Sequence, residues 1–523
     1  MKKRLLALLL AAIMVLSLVA CTGGRRAGDI EKIDSSVDPS TPLTKDDVVR
    51  IVFYSDASWP YQDSWKVIQY IRENIGATLE INPIPNSEIH TKYSVMFADP
   101  ETLPDTVPFD SKAGGDAKAA AGAAIPFEAV ADYMPNYNKW VASLDENDYA
   151  NFVQPRKSAD GKIYYSPVMG RDTTEGVMCW MYRKDIFDKH NLKVPTNYDE
   201  LYNVCKELKA LYPDSYPLCM RSGLGINLRV MAPGWDKNWD GSSFYYNEAE
   251  GKWKYGALDP AMKEYLEFAV KMINEGLLNP DFATIKSAEW QQLITTNRGF
   301  ITPEYQTRID FFNSIFKDSG EAGRFTAMVP PVANAEKGAN LVVRNSLDPY
   351  GNIICNTRDN DRIANAAKYL DWFYADENVE LVSWGKEGET FEVVDGKKQY
   401  ITNGSNEPIK TLYGFGNPQT FYRIDREAIE ATESLDITEN RAMVLEHRKD
   451  KNNAANFISF TNEEQEKLGD AKGVILSYTN ETLTKILLGQ LPISAYDEME
   501  AKCYEYGLQE VLDIYEAAYA RIK

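Results

Sequence analysis

The chain has 523 residues, of which 44% are apolar and 26% charged, ordinary globular usage that excludes wholesale disorder, a collagen-like repeat and a disulfide-stapled miniprotein. At roughly 100–200 residues per domain, this length calls for two to four folding units. Asp and Glu outnumber Lys and Arg by 77 to 57, and the net charge of −20 would repel phosphate backbones, so no nucleic-acid partner is expected.

The N-terminus carries the sharpest signal. Lys2-Lys3-Arg4 precedes an apolar run from Leu5 to Ala20, which fits the core of a signal peptide. The run is short of the about 20 residues a spanning helix needs. It ends Leu18-Val19-Ala20-Cys21, followed by Thr22-Gly23-Gly24, and resembles a bacterial lipobox. The resemblance implies cleavage after residue 20 and lipidation of Cys21, which anchors the protein to the outer face of the cell membrane. Paired acyl chains hold such an anchor stably. Residues 22–47, rich in Gly, Ser, Asp, Pro and Lys, read as a flexible tether.

Val48 to Tyr54 is a strand, the loop Ser55 to Pro60 follows, and Ser64 to Asn74 is a helix stopped at Gly76. Thr78 to Ile84 is a second strand. Strand, helix and strand make a βαβ unit and a parallel sheet. A short third strand is expected at Leu103 to Val107, then a loop and small helix at Ala113 to Ala124. Further on, Thr196 caps a helix with Leu201, Val204, Cys205, Leu208 and Leu211 on one face. Asp259-Pro260 opens another helix, Asp361 caps a third, and the last runs from Leu508 to Ile522. Strand-like pieces lie at 176–182, 300–302, 325–329 and 341–343. The architecture is α/β in two lobes.

The six cysteines make no CxxC pair, and the three histidines lie far apart. With Cys21 lipidated an odd number remains, so disulfides are not the framework. There is no GxSxG, HExxH, GxxxxGK[ST] or complete GxGxxG. No enzymatic activity, cofactor or metal is expected. Asp236, Asn238, Asp240 and Gly241 match the start of an EF-hand loop, but Asn247 stands where the bidentate Glu belongs, and a polar turn is the better reading.

Several segments together resemble the extracellular solute-binding proteins of bacterial ABC importers, in particular the long Gram-positive aldouronate or oligosaccharide-binding lipoproteins. They are Asp160-Gly161-Lys162-Ile163-Tyr164-Tyr165, Tyr182-Arg183-Lys184-Asp185 with Val194-Pro195-Thr196, Glu275-Gly276-Leu277-Leu278-Asn279-Pro280-Asp281-Phe282, Leu370-Asp371-Trp372-Phe373-Tyr374 with Trp384-Gly385-Lys386-Glu387-Gly388, and the final helix from Tyr506. The chain departs from the pattern at Trp384, where Tyr is usual, and after Val107, where an Ala-rich stretch replaces an acidic loop. The resemblance implies a type II periplasmic-binding-protein-like α/β fold, with two lobes, a ligand cleft and hinge crossovers. Its expected boundaries put lobe one at 48–168 plus 300–350 and lobe two at 169–299 plus 351–523.

Sugar sites need flat aromatic faces and polar side chains for paired hydrogen bonds. Asp56 and Trp59 lie in the loop after the first strand, where cleft loops gather in α/β folds. Tyr182, with Trp180 and Arg183 beside it, ends a strand near an expected hinge. Trp235 and Trp239 sit in a Gly/Asp-rich loop, Tyr305 follows a strand, and Trp384 and Glu387 lie in the family-like segment. Each has a plainer alternative as a packing or turn residue. The expected protein is a lipid-anchored monomer that captures an oligosaccharide and delivers it to ABC permease transmembrane subunits. The alternatives are the same scaffold binding a peptide or other small solute, a secreted glycoside hydrolase with two essential carboxylates, and a surface adhesin.

Overall fold

The computed structural model describes residues 30–522 except 100–101, 110–111, 171–177, 222, 224–227, 229, 242–243, 319, 321–322, 345–349, 406, 417–422 and 451–457. The expected signal peptide and Cys21 lie outside the described residues. Among the described residues no helix is long and apolar enough to cross a membrane.

The βαβ reading holds. Strand Val48–Ser55 pairs in parallel with Thr78–Pro85 along its whole length, and helix Lys66–Asn74 makes the crossover. That helix buries Val67, Ile68, Tyr70 and Ile71 on one face. It stops at Gly76, whose φ of +84° suits glycine, and a Cβ there would stand 2.3 Å from the carbonyl oxygen of Leu43. The first sheet has the order Thr78–Pro85, Val48–Ser55, Thr106–Phe109, Gly351–Cys355, Ala124–Ile125, and Gly351–Cys355 runs antiparallel to both its neighbours. Side chains alternate between its faces. Val49, Ile51 and Phe53 join a core with helices Lys66–Asn74, Pro135–Ser143 and Asn360–Trp372, while Val52, Tyr54, Val107 and Ile353 join a smaller core on the other side.

The second sheet is antiparallel, with Met178–Arg183 between Ile301–Tyr305 and Phe325–Met328. Met178 and Trp180 face the largest core, which includes residues of helices Tyr198–Leu211, Pro260–Asn274, Asn462–Leu487 and Leu508–Ala520. Cys179 and Met181 face a core that includes helices Ser287–Thr295 and Arg308–Asp318. Burying one such large apolar side chain stabilises the fold by about 1.5–3 kcal/mol.

Sheet and core membership divide the chain differently from the expected boundaries. Ile301–Tyr305 and Phe325–Met328 pair with Met178–Arg183 in the second lobe, and Gly351–Cys355 returns to the first sheet. Residues from Ile363 to Ile429 complete the first core, and those from Ile437 onward complete the second. The reason is pairing between strands distant in sequence, which local patterns do not encode. The chain therefore stays in the first lobe through Gly170, is back in it by Gly351, and remains there through helix Arg426–Ala431.

Residues 30–47, expected as tether, are docked on the first lobe. Ile33 is buried in its core, Ser35 and Ser36 donate to the Asp361 carboxylate, and Lys368 Nζ reaches the carbonyls of Asp38 and Thr41 at 2.6 and 2.7 Å. Asp361 is thus engaged elsewhere, and Asp359 caps the helix by accepting from the backbone N–H groups of Asp361 and Arg362. In the same way Asn197, not Thr196, caps Tyr198–Leu211. Asp259 caps Pro260–Asn274 as expected.

Candidate interlobe ligand site

The loop leaving Val48–Ser55 meets the second lobe at one place. Asp56 Oδ1 accepts from Ser58 N at 2.8 Å, and its Oδ2 lies 3.3 Å from Asn86 Nδ2 and 3.5 Å from Arg308 Nη2. Ser58 Oγ accepts from Gln291 Nε2 at 2.9 Å and from Arg308 Nη1. The Arg308 guanidinium sits 4.6 Å from the centre of the Trp59 ring, and Phe311 meets that ring edge-on at 6.2 Å. Lys410 approaches the same indole, with Nζ 5.4 Å from its centre. Asp56, Ser58, Trp59 and Lys410 belong to the first lobe; Gln291, Arg308 and Phe311 belong to the second. Arg308 stands at the first residue of helix Arg308–Asp318, directly after strand Ile301–Tyr305, and this placement carries it across the junction.

A second ion pair lies behind the first. Arg221 Nε is 2.6 Å from Glu304 Oε2, and the guanidinium lies 4.8 Å from the Trp290 ring centre. Thr302 and Glu304 occupy one face of their strand, the face shared with Met181 and Cys179. Burial alone would raise the Asp56 carboxyl, but Arg308, the Ser58 N–H and Arg221 offset it, and the group sits below the usual carboxylate range. Burial lowers Arg308 from its usual value, and Asp56 counters that. The indole N–H of Trp59, the Nε–H of Arg308 and the Thr302 hydroxyl are buried without partners.

An open crevice of about 840 Å³ is lined in part by the helix that carries Arg308. Helix Arg308–Asp318 lines it with Asp310 and Asn313, on the same helix that places Arg308 and Phe311 at the junction. Tyr400 and Ile409 line it from the first lobe. Its size suits a small-molecule or oligomeric ligand.

Of the residues singled out from sequence, Asp56 and Trp59 meet at this junction and the others do not. Trp180 is fully buried, edge-on to Tyr198. Trp235 packs against Tyr198, Tyr265 and Phe268, and Trp239 donates to the Gly256 carbonyl from within the same core. Their loop, expected to be exposed, is folded inward because each indole presents a large apolar surface that neighbouring aromatics cover and, at Trp239, an N–H that finds a carbonyl. Arg183 is 2% exposed, paired with Asp185 at 2.7 Å and bonded to Asn297. Tyr182 is half-buried against Phe187, and Tyr305 is half-buried on the opposite strand face from Glu304. Trp384 is buried, with its N–H on Asp425, and Glu387 is exposed on the turn beyond it. Among the described residues no three His, Cys, Asp or Glu side chains converge to hold a metal. In the EF-hand-like loop, Asp236 instead accepts from the backbone N–H of Asn238.

Arg308, Ser58, Gln291, Arg221 and Glu304 were not singled out from sequence. The only signal for Arg308 was its position just past a strand end, two residues beyond Gln306.

Residues 65–380 match the family model for the bacterial extracellular solute-binding protein. The chain is 20% identical over 522 residues to Lipoprotein LipO of Bacillus subtilis, covering 95% of this chain and 94% of that one. Its fold matches the crystal structure of the alginate-binding protein AlgQ2 without calcium ion at a TM-score of 0.74, with 20% identity, covering 93% of this chain and all of the other. It also matches the S. pneumoniae ABC-transporter substrate binding protein FusA in complex with kestose, at a TM-score of 0.69 and 17% identity over 91% of this chain and 99% of that one. The fold is that of type II periplasmic-binding proteins, as expected from sequence.

Proposed function

This chain belongs to the bacterial extracellular solute-binding proteins, and we propose that it captures an oligosaccharide between its lobes and delivers it to an ABC permease. In this reading it is anchored at the outer face of the membrane by lipid on Cys21. No bond is made or broken. Binding energy goes into bringing the lobes together, and the permease reads the closed form.

The observation that carries the reading is the junction at Trp59. An aromatic ring and a carboxylate from one lobe meet a guanidinium and an amide from the other, and two buried donors there, Trp59 Nε1 and Arg308 Nε, have no partner. Buried donors are ordinarily satisfied, and sugar oxygens supply acceptors of the right kind. The fold-level likeness to proteins named for alginate and kestose supports a glycan over a peptide.

The test is a thermal-shift series on the soluble chain starting at Thr22, against neutral and acidic oligosaccharides and against peptides. A ligand at 100 times its Kd should stabilise the fold by roughly 2.7 kcal/mol. Chromatography of the mixture should recover the glycan intact. Stabilisation by peptides alone would overturn the sugar, and consumption of the glycan would establish a hydrolase. The anchor is tested separately: Cys21→Ala should abolish incorporation of labelled palmitate and release the protein from membranes.

A further inference from the structure

We infer that the cleft is built for a neutral oligosaccharide and discriminates against uronates; the inference rests on the reading of the cleft as a sugar site. It comes from following each cation at the junction and along the crevice to its partner. Arg308 faces Asp56 at 3.5 Å, and Arg221 is paired with Glu304 at 2.6 Å. In the crevice wall, Arg324 is held by Asp436 at 2.6 Å and by Glu439 at 3.4 Å, and Lys398 is paired with Glu380. Lys410 has the Glu433 carboxylate within electrostatic range. Lys317 also lines the crevice, but it is exposed near the end of its helix and keeps its water.

A uronate entering this site would find each of these cations other than Lys317, all but Arg324 buried or half-buried, already matched by a protein carboxylate. To pair with Arg308, which is 5% exposed, it must displace Asp56 and carry its own carboxylate into the buried side of the junction. Breaking a buried pair in this way is unfavourable. The crevice also presents Glu407, exposed at its rim, which would repel a chain of carboxylates. A neutral glycan meets no such penalty. Its hydroxyls can donate to Asp56 while accepting from Arg308, because a pair 3.5 Å apart leaves hydrogen-bonding capacity on both sides. The unpartnered N–H groups of Trp59 and Arg308 can take hydroxyl or ring oxygens.

The test is calorimetric titration of the soluble chain from Thr22 with neutral trisaccharides of fructose, glucose, mannose and galactose and with trigalacturonate and trimannuronate, each in 50 and 500 mM NaCl. At least one neutral sugar should bind at least 100-fold tighter than either uronate, with a Kd that changes less than twofold between the two salts. In Asp56→Asn, which leaves Arg308 without its carboxylate, trigalacturonate affinity should rise at least tenfold; no gain in a variant whose melting curve shows it folded would overturn the ion-pair account. Uronates binding as tightly as any neutral sugar would overturn the inference and leave the sugar reading standing. Binding by no sugar of either class would bring down both.

Discussion

Five tryptophans assigned to the cleft from sequence divide sharply once packed. Trp180, Trp235, Trp239 and Trp384 are buried among aromatic and aliphatic neighbours within one lobe or the other, whereas Trp59 is covered by side chains from both lobes. Trp59→Ala is therefore expected to weaken glycan binding by about 10–100-fold, roughly 1.4–2.8 kcal/mol, with the fold retained, as checked by calorimetry and a melting curve. The cysteines make a second case. Cys179, Cys205, Cys219, Cys355 and Cys503 are all free and buried. Burial pushes most of these thiols well above their ordinary range, so they are inert toward thiolate chemistry. Thiol titration of the soluble chain from Thr22 should find almost none reactive in the native state and five after denaturation, and reductant should leave the melting temperature unchanged.

Helix ends depend on chemistry that is local at some places and long-range at others. Asp259-Pro260 works as written because the cap and its target N–H are two residues apart. Helix Pro135–Ser143 is capped from another element altogether: Asp371, in helix Asn360–Trp372, accepts from Tyr137 N and Asn136 Nδ2, each at 2.8 Å. Burial outweighs these hydrogen bonds and pushes the Asp371 carboxyl up to about 6. The folded state thus holds a proton that the unfolded chain releases near pH 4, so this contribution to stability is fully present below pH 4 and is lost as pH rises through 6. Melting temperature should fall over that range in the native sequence, and Asp371→Asn should flatten the decline.

At the scale of the molecule, two of the contacts that tie the lobes among the described residues centre on buried cations. One is the Trp59–Arg308 junction. The other joins Lys112, which donates to Asp116 and to Ser459, with Ser158 Oγ donating to Asp116 at 2.5 Å and Ser459 Oγ donating to the Lys157 carbonyl at 3.1 Å. Lys112 is buried, and burial lowers its pKa despite Asp116. Removing the carboxylate would leave an uncompensated buried ammonium, so Asp116→Ala should cost about 3–5 kcal/mol in denaturant unfolding. Replacing it by Asn, which keeps an acceptor for Ser158 and Lys112, should cost less.

The amino-acid sequence by itself determined the class of fold and the elements with the strongest local signals, but not helix Asn462–Leu487 or strand Gly351–Cys355. The apolar run along Val48 to Tyr54, helical spacing from Ser64 to Asn74 and the stop at Gly76 are signals carried within a few residues, and backbone hydrogen bonding acts over the same range. The order of family-like segments carried the lobed architecture. Tertiary structure alone decided which strands share a sheet, which indoles are buried and which charges are paired. Arg308 meets Asp56 across 252 residues of chain and Asp371 reaches Tyr137 across 234. Burial and ion pairing depend on what stands opposite a side chain in space, and for these groups that partner comes from a different lobe or a different element.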